Sequence, residues 1–457
     1  MKHLRSRFVP RFLRRLRKRS PHGTPRIGLF GIFGAGNAGN DGSLEAMLLF
    51  LRGARPEHEL VCICTRPSHV HRSFGVRAVP IGLQRIGSPR RGAGLGLVVR
   101  ICGEMRNLKR AFLICRTLNF LIFPGTGILD DFGERPFGVP MALLGWSLAA
   151  WLAGAKISFV SVGAGPIHNS LSRILMKRAM RLADYRSYRD VSSKKFIKSI
   201  GLKADDDPIF PDLVFDLPAP PSKHQPFKEM VVGIGIMNYR GWRNDPIKGD
   251  GIYRTYIDKI AAFTAWILER GYSVRLLTGD LHDQTAVRDM LASLASMREN
   301  HSPDSIVTEP ISSLHDLMRE IAMTDFVVAS RFHNIVCSLK LGRPAISIGY
   351  SSKNDDLMKD VGLGEYCQSI EALDVETLKS QFLSLEAKNE FLRASLSTMN
   401  RVYQNRLNIQ KAILLSGFPG GQQSGAARAE SSPVRVPHLR LVKFEPGLDE
   451  TPTRLDS

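Results

Sequence analysis

Short runs of apolar and β-branched residues alternate along the chain with longer segments whose apolar residues recur at helical spacing. The runs in the first half are RIGLFGIF from Arg26, ELVCICT from Glu59, LNFLIFPG from Leu118, ISFVSVGAG from Ile157 and YRSYRD from Tyr185. The spacing predicts a helix over residues 43–52 and further helices between the later runs. Alternating strands and helices are typical of a parallel sheet with helices on both faces, so the pattern predicts a doubly wound α/β domain.

The same alternation restarts after a segment that has four prolines between Pro218 and Pro226. VVGIGIM from Val231 predicts a strand, residues 253–271 predict a helix, and SVRLLTG from Ser273 predicts the next strand. A second sheet of the same class is therefore expected. Two Rossmann-like, doubly wound domains that face each other across a cleft would form a GT-B-like architecture.

The chain of 457 residues is too long for one hydrophobic core, and its composition divides it further. From Pro419 onward it is rich in Gly, Ser, Pro and Arg, which is typical of a disordered tail. The predicted parts are a basic arm (1–25), an N-terminal Rossmann-like domain (26–217), a linker (218–228), a C-terminal Rossmann-like domain (229–370), C-terminal helices (371–417) and a disordered tail (418–457).

The formal net charge of +20 is concentrated at the N-terminus, where residues 1–20 carry nine Lys or Arg and no acid. No apolar h-region follows, which argues against a secretory signal. Phe8, Phe12 and Leu16 interleave with the basic residues, so the arm is either an amphipathic helix on an anionic membrane surface or a disordered basic segment. Nucleic-acid binding is not favoured, because no recognisable nucleic-acid-reading module follows the arm.

The six cysteines are unevenly spaced and show neither a disulfide framework nor a zinc-binding spacing, which predicts reduced core residues of a cytoplasmic protein. If the basic arm binds lipid, the protein would lie at the inner face of the membrane. Residues 136–155 contain no charge and approach the roughly 20 apolar residues that span a bilayer. Because Lys156 leads directly into a predicted strand, a buried helix of the domain is favoured over a membrane span.

A glycine-rich turn, Gly34-x-Gly36-x-x-Gly39, follows the first predicted strand and matches the dinucleotide-binding fingerprint. That fingerprint normally has an acidic residue at the end of the second strand, whereas Arg66 stands near that place here and would suit NADP. We interpret Gly34, Gly36 and Asn37 instead as a backbone loop that approaches an anion or a substrate at a helix N-terminus. A tight turn needed only for packing is the alternative.

Arg331, His333 and Lys353 are predicted to lie where two neighbouring strands end. The apolar runs Phe326–Ala329 and Ala345–Gly349 flank a helical segment, which predicts a right-handed strand–helix–strand crossover. Both strands then run parallel and their carboxyl ends open onto one crevice. Two fixed cations and an imidazole there suit an anion such as a phosphate. Alternatively, His333 packs under the helix and Arg331 pairs with a surface carboxylate.

The segment SRFHNIVCSLKLGRPAISIGYSSK, residues 330–353, resembles the C-terminal signature of the polysaccharide pyruvyl transferase family. In that family an Arg-x-His pair is followed by a helix, a Gly-x-Pro turn and a Tyr-x-x-Lys loop. The turn at residues 34–39 is similar to the family's Gly-x-Gly-Asn-x-Gly turn, although Asn40-Asp41 stands where Asp-Glu is usual. The resemblance extends through five ordered elements of residues 27–370 and implies the same two-domain fold.

FPGTGILDD, residues 123–131, resembles the family's Gly-Gly-Gly-x-x-x-Asp element. Gly125 and Gly127 match two of its glycines, Thr126 replaces the middle one, and Asp131 matches the aspartate. The resemblance implies that the glycine backbone contacts substrate and that Asp131 accepts a proton from a sugar hydroxyl. As an alternative, Asp130 and Asp131 cap the apolar helix that follows.

YRSYRDVS, residues 185–192, resembles the Arg-Asp-x-x-Ser element that closes the first domain in this family. Arg189 would then reach the cleft from the side opposite Arg331, and Ser192 or Ser193 would start the next helix. The alternative is a local ion pair between Arg189 and Asp190, since exposed pairs form at little cost.

Family resemblance implies transfer of a pyruvyl group from phosphoenolpyruvate to a sugar of a cell-surface polysaccharide or of its lipid-linked precursor, usually as a ketal. Arg189, Arg331 and Lys353 would hold the carboxylate and phosphate of the donor. His333 is the candidate general acid for the enol carbon, and Asp131 is the candidate base. No metal or organic cofactor is required by this scheme.

Asn238 and Trp242 are predicted in a polar loop after the first strand of the second domain, where they suit hydrogen bonding and stacking with a sugar or simple loop packing. Asp280 and Asp283, after SVRLLTG, are candidates for helix capping. Two other functions stay open. A GT-B glycosyltransferase would bind a nucleotide sugar in the second domain, and an NADP-dependent oxidoreductase would use the glycine-rich turn.

Overall fold

The computed structural model of the protein describes residues 24–82, 93–132, 134–221, 230–242, 248–297 and 305–417. Almost all of the predicted basic arm, the predicted C-terminal tail and most of the predicted linker therefore lie outside the described residues. Two sheets lie within one compact unit that extends to Lys411. The domain limits predicted within that unit stay predictions.

Six parallel strands form the first sheet in the order β3-β2-β1-β4-β5-β6. Its strands are β1 (Arg26–Phe30), β2 (Glu59–Cys64), β3 (Arg77–Pro80), β4 (Phe120–Pro124), β5 (Lys156–Val162) and β6 (Tyr185–Tyr188). The helices of this part are α1 (Ala38–Ala54), α2 (Pro67–Phe74), α3 (Ala93–Cys115), α4 (Val139–Ala153), α5 (Ser170–Arg181) and α6 (Val191–Ser199). The winding direction reverses between β1 and β4, where a doubly wound sheet opens its crevice.

The second sheet repeats this winding in the order β12-β11-β10-β7-β8-β9, again with parallel strands only. Its strands are β7 (Val231–Gly235), β8 (Ser273–Leu277), β9 (Ile306–Val307), β10 (Phe326–Ala329), β11 (Ala345–Gly349) and β12 (Cys367–Ser369). The helices that follow β7 are α7 (Gly249–Glu269), α8 (Gln284–Met297), α9 (Leu314–Ala322), α10 (Phe332–Lys340), α11 (Ser352–Asp360), α12 (Val375–Ala387) and α13 (Asn389–Ser416). The predicted fold class, two Rossmann-like doubly wound domains in a GT-B-like arrangement, is confirmed.

Helix α1 begins five residues earlier than the sequence pattern predicts, at Ala38 rather than Ser43. The Asn37 side chain caps it, because its Oδ1 accepts a hydrogen bond from the Asn40 N–H at 3.2 Å. Glycines have low helix propensity and conceal the start of the helix in the sequence. The cap fixes the direction in which α1 leaves the glycine-rich turn.

Aromatic side chains fill the core between the first sheet and α4. The Phe30 and Phe123 rings lie 5.0 Å apart, and the Phe123 and Phe159 rings stack at 4.2 Å. Trp146, on α4, packs at 6.1 Å from Phe30. The apolar segment 136–155 thus forms a domain helix with one buried side, and among the described residues no helix is long and apolar enough to cross a membrane.

Candidate functional site

The glycine-rich turn after β1 contacts the second domain through its backbone. The Ala38 N–H donates to the Gly279 carbonyl at 3.1 Å, and the Leu281 N–H donates to the Gly36 carbonyl at 3.2 Å. Gly34 and Gly36 have φ values of +73° and +101°, which glycine adopts without strain. The turn therefore helps to join the domains, and the substrate contacts predicted for it stay predictions.

The His333 imidazole, at the start of α10, lies directly against the backbone of α1. A Cβ atom at Gly39 would overlap this ring, and a Cβ at Gly42 would overlap the Leu314 side chain. Glycine at both positions lets α1 approach the second domain closely. The imidazole is only 13% exposed and lies at the junction of the two domains.

Asp212 connects Arg189 with His333, and the sequence analysis missed it. Its Oδ2 accepts a hydrogen bond from Arg189 Nη1 at 3.1 Å and lies 3.7 Å from His333 Nε2. Its Oδ1 accepts from the Val214 N–H at 3.0 Å. Burial alone raises the pKa of the Asp212 carboxyl, but His333 and the Arg189 charge outweigh burial and hold that pKa well below its usual range. The available sequence signal is an acid inside the apolar run IFPDLVF, because a buried acid needs a charged partner.

Arg189, just after β6, contacts a residue of the second domain. Its guanidinium carbon lies 4.0 Å from the centre of the Phe332 ring in the second domain. The locally predicted partner, Asp190, is 3.5 Å from Nε, farther than the Asp212 oxygen is from Nη1. Asp190 forms the predicted ion pair through Oδ2, and its Oδ1 also caps α6 by accepting from the Ser193 N–H at 2.5 Å, so the cap is one residue before Val191 rather than Ser192 or Ser193.

Lys353, at the start of α11, reaches back to the first domain. Its Nζ donates to Asp130 Oδ2 at 3.0 Å. Burial alone would lower the pKa of this ammonium, but the Asp130 charge outweighs burial and raises it. A Cβ at Gly127 would lie 3.0 Å from Asp130 Oδ2, 3.3 Å from Lys353 Nζ and 3.9 Å from Arg189 Nη2, so glycine leaves space beside both cations and beside the carboxylate that holds Lys353.

Asp131 is buried and does not cap α4, because Gly138 occupies the N-cap position of that helix. Its Oδ2 accepts from the Asn169 N–H at 2.8 Å, which ties it to the start of α5. Its Oδ1 is also buried and has no hydrogen-bond partner among the described residues. A buried, unengaged carboxylate oxygen is available to accept a proton or a hydroxyl hydrogen bond.

Arg331 is held within the second domain by Asp283, which the sequence analysis considered only as a possible cap. Arg331 Nε and Nη2 donate to the two Asp283 oxygens at 2.9 and 2.6 Å. Burial alone would lower the pKa of this guanidinium, but the Asp283 charge outweighs burial and raises the pKa above its ordinary value. Asp283 Oδ1 also accepts from the Asn238 N–H at 3.0 Å, so the bidentate pair fixes the loops after β7 and β10. Two guanidinium nitrogens of Arg331, Nε and Nη2, are therefore already engaged by the protein.

A pocket of about 310 Å³ is lined by both domains and includes Ser352, the residue before Lys353. The loops after β7 and β11 contribute Trp242 and Tyr350, and the loop after β5 contributes His168. The Trp242 ring packs edge-on to Phe132 at 5.0 Å and to His168 at 5.9 Å. Its Nε1 has no hydrogen-bond partner in the described part of the chain, and neither has Asn238 Oδ1. Aromatic walls with a few unengaged polar atoms are typical of a ligand site.

Within the described ranges, no group of three or more His, Cys, Asp or Glu side chains is placed to hold a metal ion. The predicted independence from metal and organic cofactors stays a prediction. What the geometry does define is a two-domain enzyme site, with Arg189, Lys353 and His333 meeting between two parallel sheets.

The model of the polysaccharide pyruvyl transferase family matches residues 37–352, and the chain belongs to this family. The match starts after β1 and ends before β12; it includes Arg189, Arg331 and His333, and Lys353 is the first residue beyond it. It makes the protein an enzyme of the pyruvyl transferase type. No curated protein matches the chain in sequence.

Solved structures with this architecture are distant in sequence. UDP-GlcNAc 2-epimerase from Neisseria meningitidis bound to UDP-GlcNAc is 12% identical, with a TM-score of 0.53 over 86% of this chain and 100% of that chain. The epimerase from Methanocaldococcus jannaschii is 10% identical, with a TM-score of 0.51 over 78% and 92%. A glycosyltransferase from Rickettsia africae is 11% identical, with a TM-score of 0.51 over 86% and 99%. At these identities the likeness establishes the fold alone.

Proposed function

We propose that the protein transfers the pyruvyl group of phosphoenolpyruvate to a sugar of a cell-surface polysaccharide or of its lipid-linked precursor and forms a pyruvate ketal. One observation carries the proposal: Arg189 and Lys353 approach from different domains and border the space that Gly127 leaves open. His333 shares Asp212 with Arg189, so a proton donor lies beside the cations. Family membership supports the transferred group.

The donor carries a carboxylate and a phosphate, which charged N–H donors bind strongly. Asp212 and Asp190 lie against the Arg189 guanidinium, and Asp130 accepts from Lys353, which positions both cations before the donor arrives. Arg189 Nε is buried without a hydrogen-bond partner in the described residues and lies 3.5 Å from Asp190 Oδ2, so an oxygen of the donor would compete with Asp190 for it. Arg331 should contribute less to donor binding than Arg189 or Lys353, because its Nε and Nη2 atoms already donate to Asp283.

His333 would act as the general acid that adds a proton to the methylene carbon of the enol. The neighbouring carbon then accepts one sugar hydroxyl, whose proton passes to Asp131. Phosphate leaves with its bridging oxygen, and a second hydroxyl of the sugar closes the ketal. The two hydroxyl protons are thus balanced by the new methyl group and by the released phosphate. Asp212 would hold the imidazole in the orientation that this step needs.

The acceptor sugar would occupy the aromatic pocket beside the donor. Trp242 and Tyr350 offer ring faces for stacking on a sugar, and Glu371 lines the same pocket. Glu371 accepts from the Tyr239 hydroxyl at 2.6 Å, which fixes its carboxylate. Asn238 adds an unengaged amide oxygen for a sugar hydroxyl.

The reaction is tested with phosphoenolpyruvate and a panel of cell-surface glycans and lipid-linked precursors. Release of inorganic phosphate together with a ketal methyl signal in the NMR spectrum of the glycan is the expected result, and excess EDTA should not prevent it. Thermal shifts with phosphoenolpyruvate, a nucleotide sugar and NADP compare the three candidate ligands directly. Consumption of a nucleotide sugar without ketal formation would identify a glycosyltransferase instead, and stabilisation by NADP alone would favour the oxidoreductase.

For localisation we propose a cytoplasmic protein whose basic arm, residues 1–20, contacts an anionic membrane surface. The support is the arm's nine basic residues without an acid. Deleting the arm should weaken binding to anionic vesicles and leave activity on a soluble acceptor intact.

A further inference from the structure

Helix α4 is apolar on its outer side as well as on its buried side. Leu143, Trp146 and Ala150 face the sheet and are buried. Met141 and Leu148 belong to the opposite stripe, which is half-buried and contains no charged residue. The outward stripe of a surface helix is ordinarily polar, whereas no residue of α4 is exposed, so α4 forms a half-buried apolar floor between its neighbours.

Helix α5 packs beside α4 and borders this floor. Its exposed side carries Leu171 and Ile174, which are 39% and 53% exposed, followed by Arg178 and Arg181 at helical spacing. The helix contains no acidic residue. Apolar side chains near its beginning are thus continued by cations toward its end.

Helix α3 flanks α4 on the other side and is also rich in apolar and basic residues, with one acid, Glu104. Met105 and Leu113 are 65% and 53% exposed on it. Right-handed crossovers place α3, α4 and α5 on one face of the sheet, so the described side chains of α3, from Gly103 onward, share that face with those of α4 and α5. The exposed cations along its two edges are Arg106, Lys109, Arg116, Arg173, Arg178 and Arg181.

This helical face begins at the mouth of the candidate site. Helix α4 follows the loop of Asp130 and Asp131, and Asn169 caps α5 while its N–H donates to Asp131. His168, one residue before that cap, lines the aromatic pocket. A flat partner seated on α4 and α5 would therefore lie beside the cleft.

We propose that the outer face of α3, α4 and α5 docks on an anionic phospholipid bilayer. An apolar surface with basic edges suits insertion among acyl chains with the cations at the headgroups. The arm of residues 1–20 and the same face of a second copy are both basic, so like-charge repulsion disfavours them as occupants. The inference rests on the proposed function only for its purpose, since a bilayer here would present a lipid-linked acceptor to the pocket.

The test is flotation of the full chain with vesicles of phosphatidylcholine alone or mixed with phosphatidylglycerol. Leu171→Glu combined with Ile174→Glu should weaken binding to the mixed vesicles by at least about tenfold. Two apolar side chains that would insert among the acyl chains are replaced by carboxylates that the anionic headgroups repel. Arg178→Glu with Arg181→Glu should remove the preference for anionic vesicles. Phe391→Glu, at a residue that is 65% exposed on α13, is the matched control and should bind like the parent.

Vesicle binding needs no catalysis, so it is independent of the proposed reaction. Phosphate release with a soluble acceptor should be unchanged in the Leu171/Ile174 variant, and its thermal unfolding should match the parent. The proposal is overturned if that variant floats like the parent, or if deletion of residues 1–20 alone abolishes flotation. A parent dimer that this variant converts to a monomer in light scattering would show that the face binds a second copy instead.

Discussion

The two arginines that end strands on opposite sides of the cleft are held in different ways. Arg331 gives two parallel hydrogen bonds to Asp283, at 2.9 and 2.6 Å. Arg189 gives one hydrogen bond to Asp212, at 3.1 Å, and stacks on Phe332. Arg189 Nε is left without a hydrogen-bond partner within the described residues. The two arginines therefore occupy similar places in the sequence but make different contacts in the structure.

The difference shows that an arginine at a strand end is not by itself a ligand site. The pair of Arg331 and Asp283 fixes two loops. Asp212, in contrast, lies between Arg189 of the first domain and His333 of the second. Donor atoms that remain unengaged are what a ligand can use, because displacing a bidentate buried pair leaves a buried charge unpaired. We therefore expect Arg189 and Lys353, rather than Arg331, to make most of the contacts with the donor.

His333→Ala should have the largest effect on activity, because His333 is the proposed general acid. It follows Arg331 in sequence but shares Asp212 with Arg189. Loss of a general acid should lower the rate by about 10²–10⁴-fold. Asn334→Ala is the matched control, and its buried amide makes no hydrogen bond to the described residues. Steady-state phosphate release measures both variants, and equal mild losses would remove His333 from the mechanism.

The fold was largely predictable, because strands that are buried on both faces produce continuous apolar runs. The predicted runs at Phe326–Ala329 and Ala345–Gly349 coincide with β10 and β11. The start of α1 was wrong because a cap and glycines, rather than apolar periodicity, decide it.

The site was predictable only where residues follow strands. Arg189, His333 and Lys353 do so, and parallel topology brings such positions to one edge. Asp212 lies in a loop far from any predicted strand end, and its role depends on the approach of two domains. Pairings of this kind, like that of Arg331 with Asp283, depend on distances that local sequence does not encode.

Asp212→Asn should cost up to about 3–5 kcal/mol of unfolding free energy at neutral pH, because it removes the carboxylate that bonds Arg189 Nη1 and leaves only Asp190, 3.5 Å from Nε, beside the buried guanidinium. Folding lowers the pKa of Asp212, so the carboxylate stabilises the folded protein above about pH 4, its ordinary value. That contribution is lost as the pH falls through the lowered pKa. The variant should therefore lose less stability than the parent on acidification.

Urea unfolding between neutral pH and about pH 3 measures this difference. Asp206→Asn, at an exposed carboxylate in the same loop region, is the control and should follow the parent at every pH. Parallel acid limbs for the parent and the Asp212 variant would mean that this carboxylate is not held charged by Arg189 and His333.

Gly39→Ala tests whether α1 must meet the imidazole directly. The added Cβ would overlap the His333 ring, and displacing a catalytic group by about 1 Å can cost on the order of 10²-fold in rate. Gly53→Ala, in the same helix, has no heavy atom within 4 Å of its Cβ and should gain about 0.5–1 kcal/mol of stability instead. Unchanged turnover for Gly39→Ala would indicate that the position of the His333 imidazole does not affect the reaction.

Arg189→Lys and Arg331→Lys compare the two arginines most directly. Lysine keeps the charge but loses the planar fork. At Arg189 the Kd for phosphoenolpyruvate should rise by about tenfold, equivalent to ~1.4 kcal/mol. At Arg331 the Kd should change less, and the loss should be in stability because the bidentate bond to Asp283 is broken. Calorimetric titration and thermal unfolding measure the two quantities, and the opposite pattern would make Arg331 the main donor ligand.

Thr126→Gly should give the smallest change, and it concerns the loop that carries Gly127 to the cations. Thr126 has φ +65°, and among the described residues only Ser161 is another non-glycine with positive φ. A β-branched residue in this region is strained by about 1–2 kcal/mol, while glycine costs about 0.5–1 kcal/mol in unfolded-chain entropy. The net expectation is a gain of up to about 1 kcal/mol, seen as a small rise in Tm. Thr117→Gly, at an exposed threonine without positive φ, should lower Tm, and an equal decrease for both variants would show that the loop is not strained at Thr126.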